Sequence, residues 1–275
     1  MRMCHWQNFL ADEEGGGLNR YWRIIATGLS FAIFGIGGVL LTCALIPILV
    51  LTRDSEARRK YGKMLLKKSF QCFLWGMQFL GVMNLQTKNM NRLKSGGRLV
   101  LANHPSLIDA VILIALIESP NGIIKSSLFN NPSMYGLAKI AGLMRNVEGP
   151  ELIRKSIESI SAGDNLIIFP EGTRTKVLGE AAFKQGAAYI AIKGGFDITP
   201  VLIVTSEPVL RKDHSWYKVP LSKPLFTVSV MEEIKVAAKV KSGDDLIVAT
   251  KELTEYLEEY YLHELREYER FGIRD

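Results

Sequence analysis

Between residues 24 and 51 the chain carries no charged side chain, a run of 28 residues. At about 1.5 Å per residue, a helix of that length crosses a hydrocarbon core of roughly 30 Å. The run therefore predicts a membrane segment. A cleaved signal peptide fits poorly, because its apolar core spans about 7–15 residues and ends at a small-residue cleavage site. Here Arg53, Arg58, Arg59 and Lys60 follow instead. Joined by Lys63, Lys67 and Lys68, these cations outweigh Arg20 and Arg23 on the other flank, where Asp12, Glu13 and Glu14 also lie. The bias predicts a membrane-attached protein with its main domain on the cytoplasmic side. Gly35, Gly37, Gly38 and Pro47 interrupt the run, so a spanning helix, bent at these residues, and a hairpin that enters and leaves on one side both satisfy it.

Length and charge narrow the remainder. A chain of 275 residues accommodates one large core and an appendage. We divide it into a tail and membrane segment (1–53), a basic amphipathic helix (54–90) and a catalytic domain (91–275). The net charge of +6 is concentrated just after the apolar run, which suits an anionic leaflet. No nucleic-acid-binding motif accompanies it. Cys4, Cys43 and Cys72 form no CxxC pair, so neither a disulfide scaffold nor a metal site is expected.

In the segment after the run, Tyr61, Met64, Leu65, Cys72, Trp75, Phe79 and Met83 recur at helical spacing, with Lys60, Lys63 and Lys67 on another face. Such a helix either lies along the leaflet or packs on the catalytic domain with a solvated lysine face. Beyond it, β-rich runs at 98–102, 122–125, 165–169 and 198–205 alternate with amphipathic helices, the pattern of an α/β domain with a largely parallel sheet flanked by helices. Leu107, Ala110, Val111 and Ile114 form one helical stripe. Ile153, Ile157 and Ile160 form another, opened by Pro150 and closed by Gly163. Residues 226–231 read as an edge strand. A charged helix from about residue 244 turns Leu253, Tyr256, Leu257, Tyr260, Tyr261 and Leu265 inward. A Pro-rich loop spans 207–224.

Two clusters carry chemistry. The first, Asn103-His104-Pro105-Ser106-Leu107-Ile108-Asp109, follows a strand and predicts a helix opened by Pro105. That puts His104 near a helix N-terminus, whose partial positive charge favours the neutral ring that a general base requires. Asp109 is placed to hold one ring N–H and to stabilise the imidazolium formed in a transition state. The second cluster, Phe169-Pro170-Glu171-Gly172-Thr173-Arg174-Thr175, ends the strongest strand, where open α/β sheets bind ligands. It suits a tight loop presenting a guanidinium to phosphate.

In this order, about 65 residues apart, the two clusters resemble those of the glycerolipid acyltransferase family, including the bacterial 1-acylglycerol-3-phosphate O-acyltransferases. The family's Asn-His-x4-Asp block is matched by Asn103, His104 and Asp109. Its Phe-Pro-Glu-Gly-x-Arg block is matched by Phe169 through Arg174, and its apolar strand around a proline by Ile198, Pro200 and Val201. The resemblance covers roughly residues 99–204. It implies a direct transfer in which His104 deprotonates an acceptor hydroxyl that attacks the thioester of acyl-CoA or acyl carrier protein, without metal or cofactor. By match, Asn103, Glu171, Gly172, Thr173 and Arg174 bind substrate, a lysolipid acceptor in phospholipid biosynthesis.

One block departs. Counting from Gly142, the position where the family places a phosphate-binding arginine holds Glu148, and Arg145 is an odd number of residues away, facing the opposite side of an extended segment. Lys125, Lys176 and Lys184 are the nearby cations. The acceptor head group is therefore open, and a glycolipid, aminolipid or polyene-linked hydroxyl is the rival. A hydrolase is disfavoured because there is no Gly-x-Ser-x-Gly elbow and Ser106 lies too close in sequence to His104. A non-catalytic lipid-binding protein of the same fold is the reading from another class, against which the intact His104 and Asp109 stand.

Overall fold

The computed structural model describes residues 16–51, 55–147, 149–174, 182–212, 215–240 and 245–271. The apolar run lies within one continuous helix, α1 (Gly16–Leu51), which passes through Pro47 without a break. The hairpin alternative is thus replaced by a single helix. Within residues 19–44 the most apolar stretch of 18 residues has a mean hydropathy of 2.2, so this helix is long and apolar enough to cross a membrane.

Helix α2 (Ser55–Phe79) corrects the sequence reading of its faces. Leu66, Phe70, Leu74 and Met77 are buried, whereas Tyr61, Met64, Trp75 and Phe79 are exposed. Most of the predicted apolar stripe faces outward, although Leu65 packs against the core and Met83, beyond the helix, is buried, and a second stripe packs on the domain. Lys63, expected on a solvated face, is instead buried and ion-paired with Asp164. Ser159 Oγ donates to the same carboxylate at 2.6 Å, and the Arg59 guanidinium stands 3.9 Å from it. Burial holds the Lys63 ammonium below its ordinary pKa, while the hydrogen bond and charge of Asp164 oppose that shift.

The chain continues through β1 (Asn84–Lys88), β2 (Leu99–Ala102), α3 (Asp109–Leu116), β3 (Pro120–Ile124), α4 (Ser126–Phe129), α5 (Pro132–Ala141), β4 (Met144–Arg145), α6 (Pro150–Ser161), β5 (Asn165–Ile168), α7 (Gly186–Gly194), β6 (Ile198–Thr205), β7 (Leu225–Val230) and α8 (Leu246–Phe271). The seven strands form one sheet in the order β1-β7-β6-β2-β5-β3-β4. Among the described strands, only the β6/β7 pairing is antiparallel. Since β1 runs parallel to β7, these two strands oppose the other five. The α/β fold with a largely parallel sheet is as expected, but β7 is interior and β1 takes the edge. Residues 84–88, Asn-Leu-Gln-Thr-Lys, carry too little apolar alternation to announce a strand.

Helices α2, α3 and α5 cover one face of the sheet around Val100, Ile112, Leu113 and Val228. On the other, α7 and α8 cover Leu99, Leu101 and Leu202, with Leu253, Leu257 and Tyr261 of α8 buried. Helix α5 approaches both N-terminal helices closely. A Cβ at Gly62 would fall 2.4 Å from Ile140 Cγ2, and one at Gly38 only 2.3 Å from the Ser133 carbonyl oxygen. Those glycines set how near the helices can come.

Candidate active site

Strand β2 ends at Ala102, and the chain leaves the sheet through an irregular turn. Asn103 closes that exit. Its buried amide donates from Nδ2 to Ile203 O at 2.8 Å and accepts from Ile203 N at 2.7 Å on Oδ1, replacing one more step of the β2/β6 ladder. Both ends of the amide thus engage β6, which departs from the expected contact with substrate.

His104 comes next, but no helix begins at Pro105. The first helical residue of α3 is Asp109, because its carboxylate gathers the intervening turn. Ser106 N and Ser106 Oγ donate to it at 2.6 and 2.5 Å. Oδ2 also stands 2.9 Å from His104 Nδ1. Since a carboxylate only accepts, Nδ1 carries the proton and Nε2 is the basic nitrogen. The expected helix-end effect on the ring gives way to this contact, since His104 lies five residues ahead of the helix. Asp109 is fully buried, whereas the His104 side chain retains 18% exposure. The imidazole stacks on Phe169, with centroids 4.3 Å apart and planes 25° from parallel.

Phe169 brings in the second cluster from the end of β5, which pairs with β2 through Leu101 opposite Ile168. Glu171 is buried, and its Oε1 accepts the backbone N–H of His104 at 2.9 Å. Gly172 takes a left-handed φ of 66°, which glycine adopts at little cost. Arg174 Nη1 donates to Leu210 O at 3.1 Å, and the same carbonyl accepts Leu107 N at 3.1 Å. Leu210 itself has φ 53°, a conformation costing a branched residue roughly 1–3 kcal/mol. The loop after β6 therefore uses a strained residue to hold both clusters.

His104 lines a cavity of about 550 Å³, together with Gly172, Thr173 and Arg174. Asn103 and Glu171 are not among its lining residues. The predicted helical stripe is partly cavity wall, since Leu107, Ala110 and Ile114 line it alongside Ile153 and Ile167. Lys125 and Lys184 reach it as well, a role that their sequence context did not distinguish from that of surface lysines. Arg145 instead sits over the Phe129 ring at 5.0 Å. Glu148, Lys176 and His214 lie outside the described residues. A larger apolar groove of about 780 Å³ runs between α1, α2 and α5, away from His104. Among the described residues, no three His, Cys, Asp or Glu side chains gather into a metal-sized cluster.

The cavity thus joins a histidine-carboxylate pair to an apolar wall and three cations, and residues 82–204, which supply nearly all of it, match the acyltransferase family. This segment is an acyltransferase domain. It is 26% identical over 138 residues to the 1-acyl-sn-glycerol-3-phosphate acyltransferase BAT2, chloroplastic, of Brassica napus, across 46% of this chain and 40% of that protein. It is also 29% identical over 136 residues to the 1-acyl-sn-glycerol-3-phosphate acyltransferase of Helicobacter pylori strain J99, across 46% of this chain and 57% of that one. The matches therefore span well under two thirds of these relatives. The crystal structure of the 1-acyl-sn-glycerophosphate (LPA) acyltransferase PlsC from Thermotoga maritima superposes with a TM-score of 0.69 at 21% identity, covering 92% of this chain and 98% of that one. The likeness extends the shared fold beyond the acyltransferase domain to α1, α2 and the C-terminal elements.

Proposed function

We propose that this chain is a membrane-attached O-acyltransferase that transfers a fatty acyl group from acyl-CoA or acyl carrier protein to the free hydroxyl of a 1-acylglycerol-3-phosphate-type lysolipid in phospholipid biosynthesis. The single observation that carries the reading is the buried Asp109 carboxylate, 2.9 Å from Nδ1 of a histidine that opens onto an apolar cavity. With Nδ1 so held, Nε2 takes the proton of the acceptor hydroxyl as its oxygen bonds to the thioester carbonyl carbon. The tetrahedral intermediate collapses with cleavage of the C–S bond, and the imidazolium returns its proton to the departing thiolate. Asp109 stabilises the transient positive ring.

Arg174, with Lys125 and Lys184, supplies positive charge for the acceptor phosphate, and the aliphatic wall from Leu107 to Ile167 takes an acyl chain. Gly172 and Thr173 shape the turn beside it. Glu171 and Asn103 act one step back, holding the backbone of the turn that carries His104.

Membrane attachment is supported by the outer side of α1, where Ile25, Ile33, Ile36 and Leu40 are exposed, and by Trp75 and Phe79 of α2. Tryptophan favours the bilayer interface, and phenylalanine the hydrocarbon beneath it. The cation excess after α1 supports a catalytic domain on the cytoplasmic side of the inner membrane.

The test supplies purified protein with labelled acyl-CoA or acyl carrier protein and a panel of lysolipids, with products identified by mass spectrometry. Lysophosphatidic acid should yield phosphatidic acid, and His104→Ala should lower turnover about 10²–10⁴-fold in a folded protein. Absence of transfer from either donor to every acceptor, or near-native turnover by His104→Ala, overturns the reading.

A further inference from the structure

We infer that Tyr261, on the C-terminal helix and outside the acyltransferase domain, is a positioning residue for His104. Its ring is essentially fully buried, 1% exposed, yet its hydroxyl reaches the backbone of two central strands. Tyr261 Oη donates to Leu101 O at 2.5 Å and accepts from Val201 N at 3.3 Å. In the parallel register that sets Leu101 opposite Pro200 and Ala102 opposite Val201, these are the carbonyl and amide that one β2/β6 ladder step joins, and the phenol bonds to both. The phenol thus stands on the ladder three residues before His104.

The next tie is Asn103, whose amide grips both backbone groups of Ile203. Spacing of β2 from β6 at Leu101 therefore sets where Asn103 meets Ile203, and hence where the chain carrying His104 leaves the sheet. Tyr261 is itself fixed by packing, with Phe183 edge-on at 5.7 Å and Tyr260 at 5.8 Å. Helix α8 is accordingly part of the support for the site as well as a cover for the sheet.

The sharpest test is Tyr261→Phe, which keeps the ring and removes the bridging hydroxyl. Without it, the Leu101 carbonyl and the Val201 amide keep only their ladder bond, the spacing of the two strands at that step changes, and Asn103 and the turn beyond are displaced. A misplacement on the ångström scale lowers kcat about ten- to a hundredfold with KM little changed. The His104 imidazole resonance should move, together with the pH profile of kcat/KM. Leu257→Ala, in the same buried cluster but without a bond to the sheet, controls for lost stability, and p-aminophenylalanine at position 261 should restore much of the turnover by returning a donor. Wild-type kcat and an unmoved imidazole resonance in Tyr261→Phe overturn the inference. So does an equal loss of kcat in Leu257→Ala at matched thermal stability. The kinetic arm rests on the acyl-transfer reading, but the imidazole resonance needs no substrate. A wild-type protein with no transferase activity would therefore refute that reading while leaving the positioning of His104 to be decided by the resonance.

Discussion

Glu171 Oε1 accepts the backbone N–H of His104 at 2.9 Å across 67 positions of sequence. The glutamate of one cluster thereby fixes the main chain of the other. Glu171→Ala should leave that amide without its acceptor, costing about 1–3 kcal/mol of stability and lowering kcat. Glu171→Gln keeps an oxygen in place and should retain most of both. Thermal unfolding alongside steady-state kinetics checks this. Unchanged stability in the two variants with equal loss of activity would place the carboxylate on substrate instead.

Ser106 Oγ lies 2.5 Å from Asp109 Oδ1, engaged with the carboxylate that orients the histidine. It is a turn residue in this arrangement and no nucleophile. Ser106→Ala should lose two hydrogen bonds, this one and the one its oxygen accepts from Ile108 N at 3.3 Å, together worth roughly 1–3 kcal/mol, and so lower kcat about tenfold without abolishing it. Loss of all turnover, or trapping of an acyl-serine in rapid-quench experiments, would contradict direct transfer.

The buried Lys63–Asp164 ion pair predicts an asymmetric response to mutation. Lys63→Met alone strands a buried carboxylate and should destabilise by about 3–5 kcal/mol, whereas the pair Lys63→Met/Asp164→Leu should recover most of that loss. Burial lowers the Lys63 pKa from the ordinary 10.5. Between the lowered value and 10.5 the unfolded chain binds more protons than the folded one, so this group's contribution to stability rises with pH across that window. Denaturant titrations at neutral and alkaline pH should show the rise in wild type and its loss in the double variant.

Exposure of Trp75 and Phe79, stacked with centroids 5.3 Å apart, predicts that the outer face of α2 enters lipid. A chain in which Trp6, Trp22 and Trp216 are replaced by phenylalanine should show blue-shifted Trp75 emission on vesicles of phosphatidylethanolamine and phosphatidylglycerol. Brominated acyl chains should quench it. Emission indifferent to both would keep α2 in water.

Much of this was legible along the chain. Strand β6 falls where its apolar run predicts, at Ile198–Thr205, because a central strand covered by helices on both faces is buried on both and reads as continuous hydrophobic sequence. Helix α8 was equally plain, since Leu253, Leu257 and Tyr261 repeat at helical spacing. Periodicity could not orient α2, where apolar residues occur on two sides and one lysine is buried. Nor could local rules start α3 correctly. Pro105 is a good helix opener, but the Asp109 carboxylate captures Ser106 and delays the helix.

The sequence by itself determined the long apolar helix, the alternation that makes an α/β sheet, and the pairing of His104 with Asp109, because each depends on residues near one another in the chain. Tertiary structure alone decided that Asn103 and Glu171 hold the main chain while Lys125 and Lys184 reach the cavity, and that β1 is the edge strand. It also carried Tyr261 across 160 positions to Leu101. A buried polar group must find a partner wherever the fold brings one within reach, and spacing along the chain does not encode which partner that is.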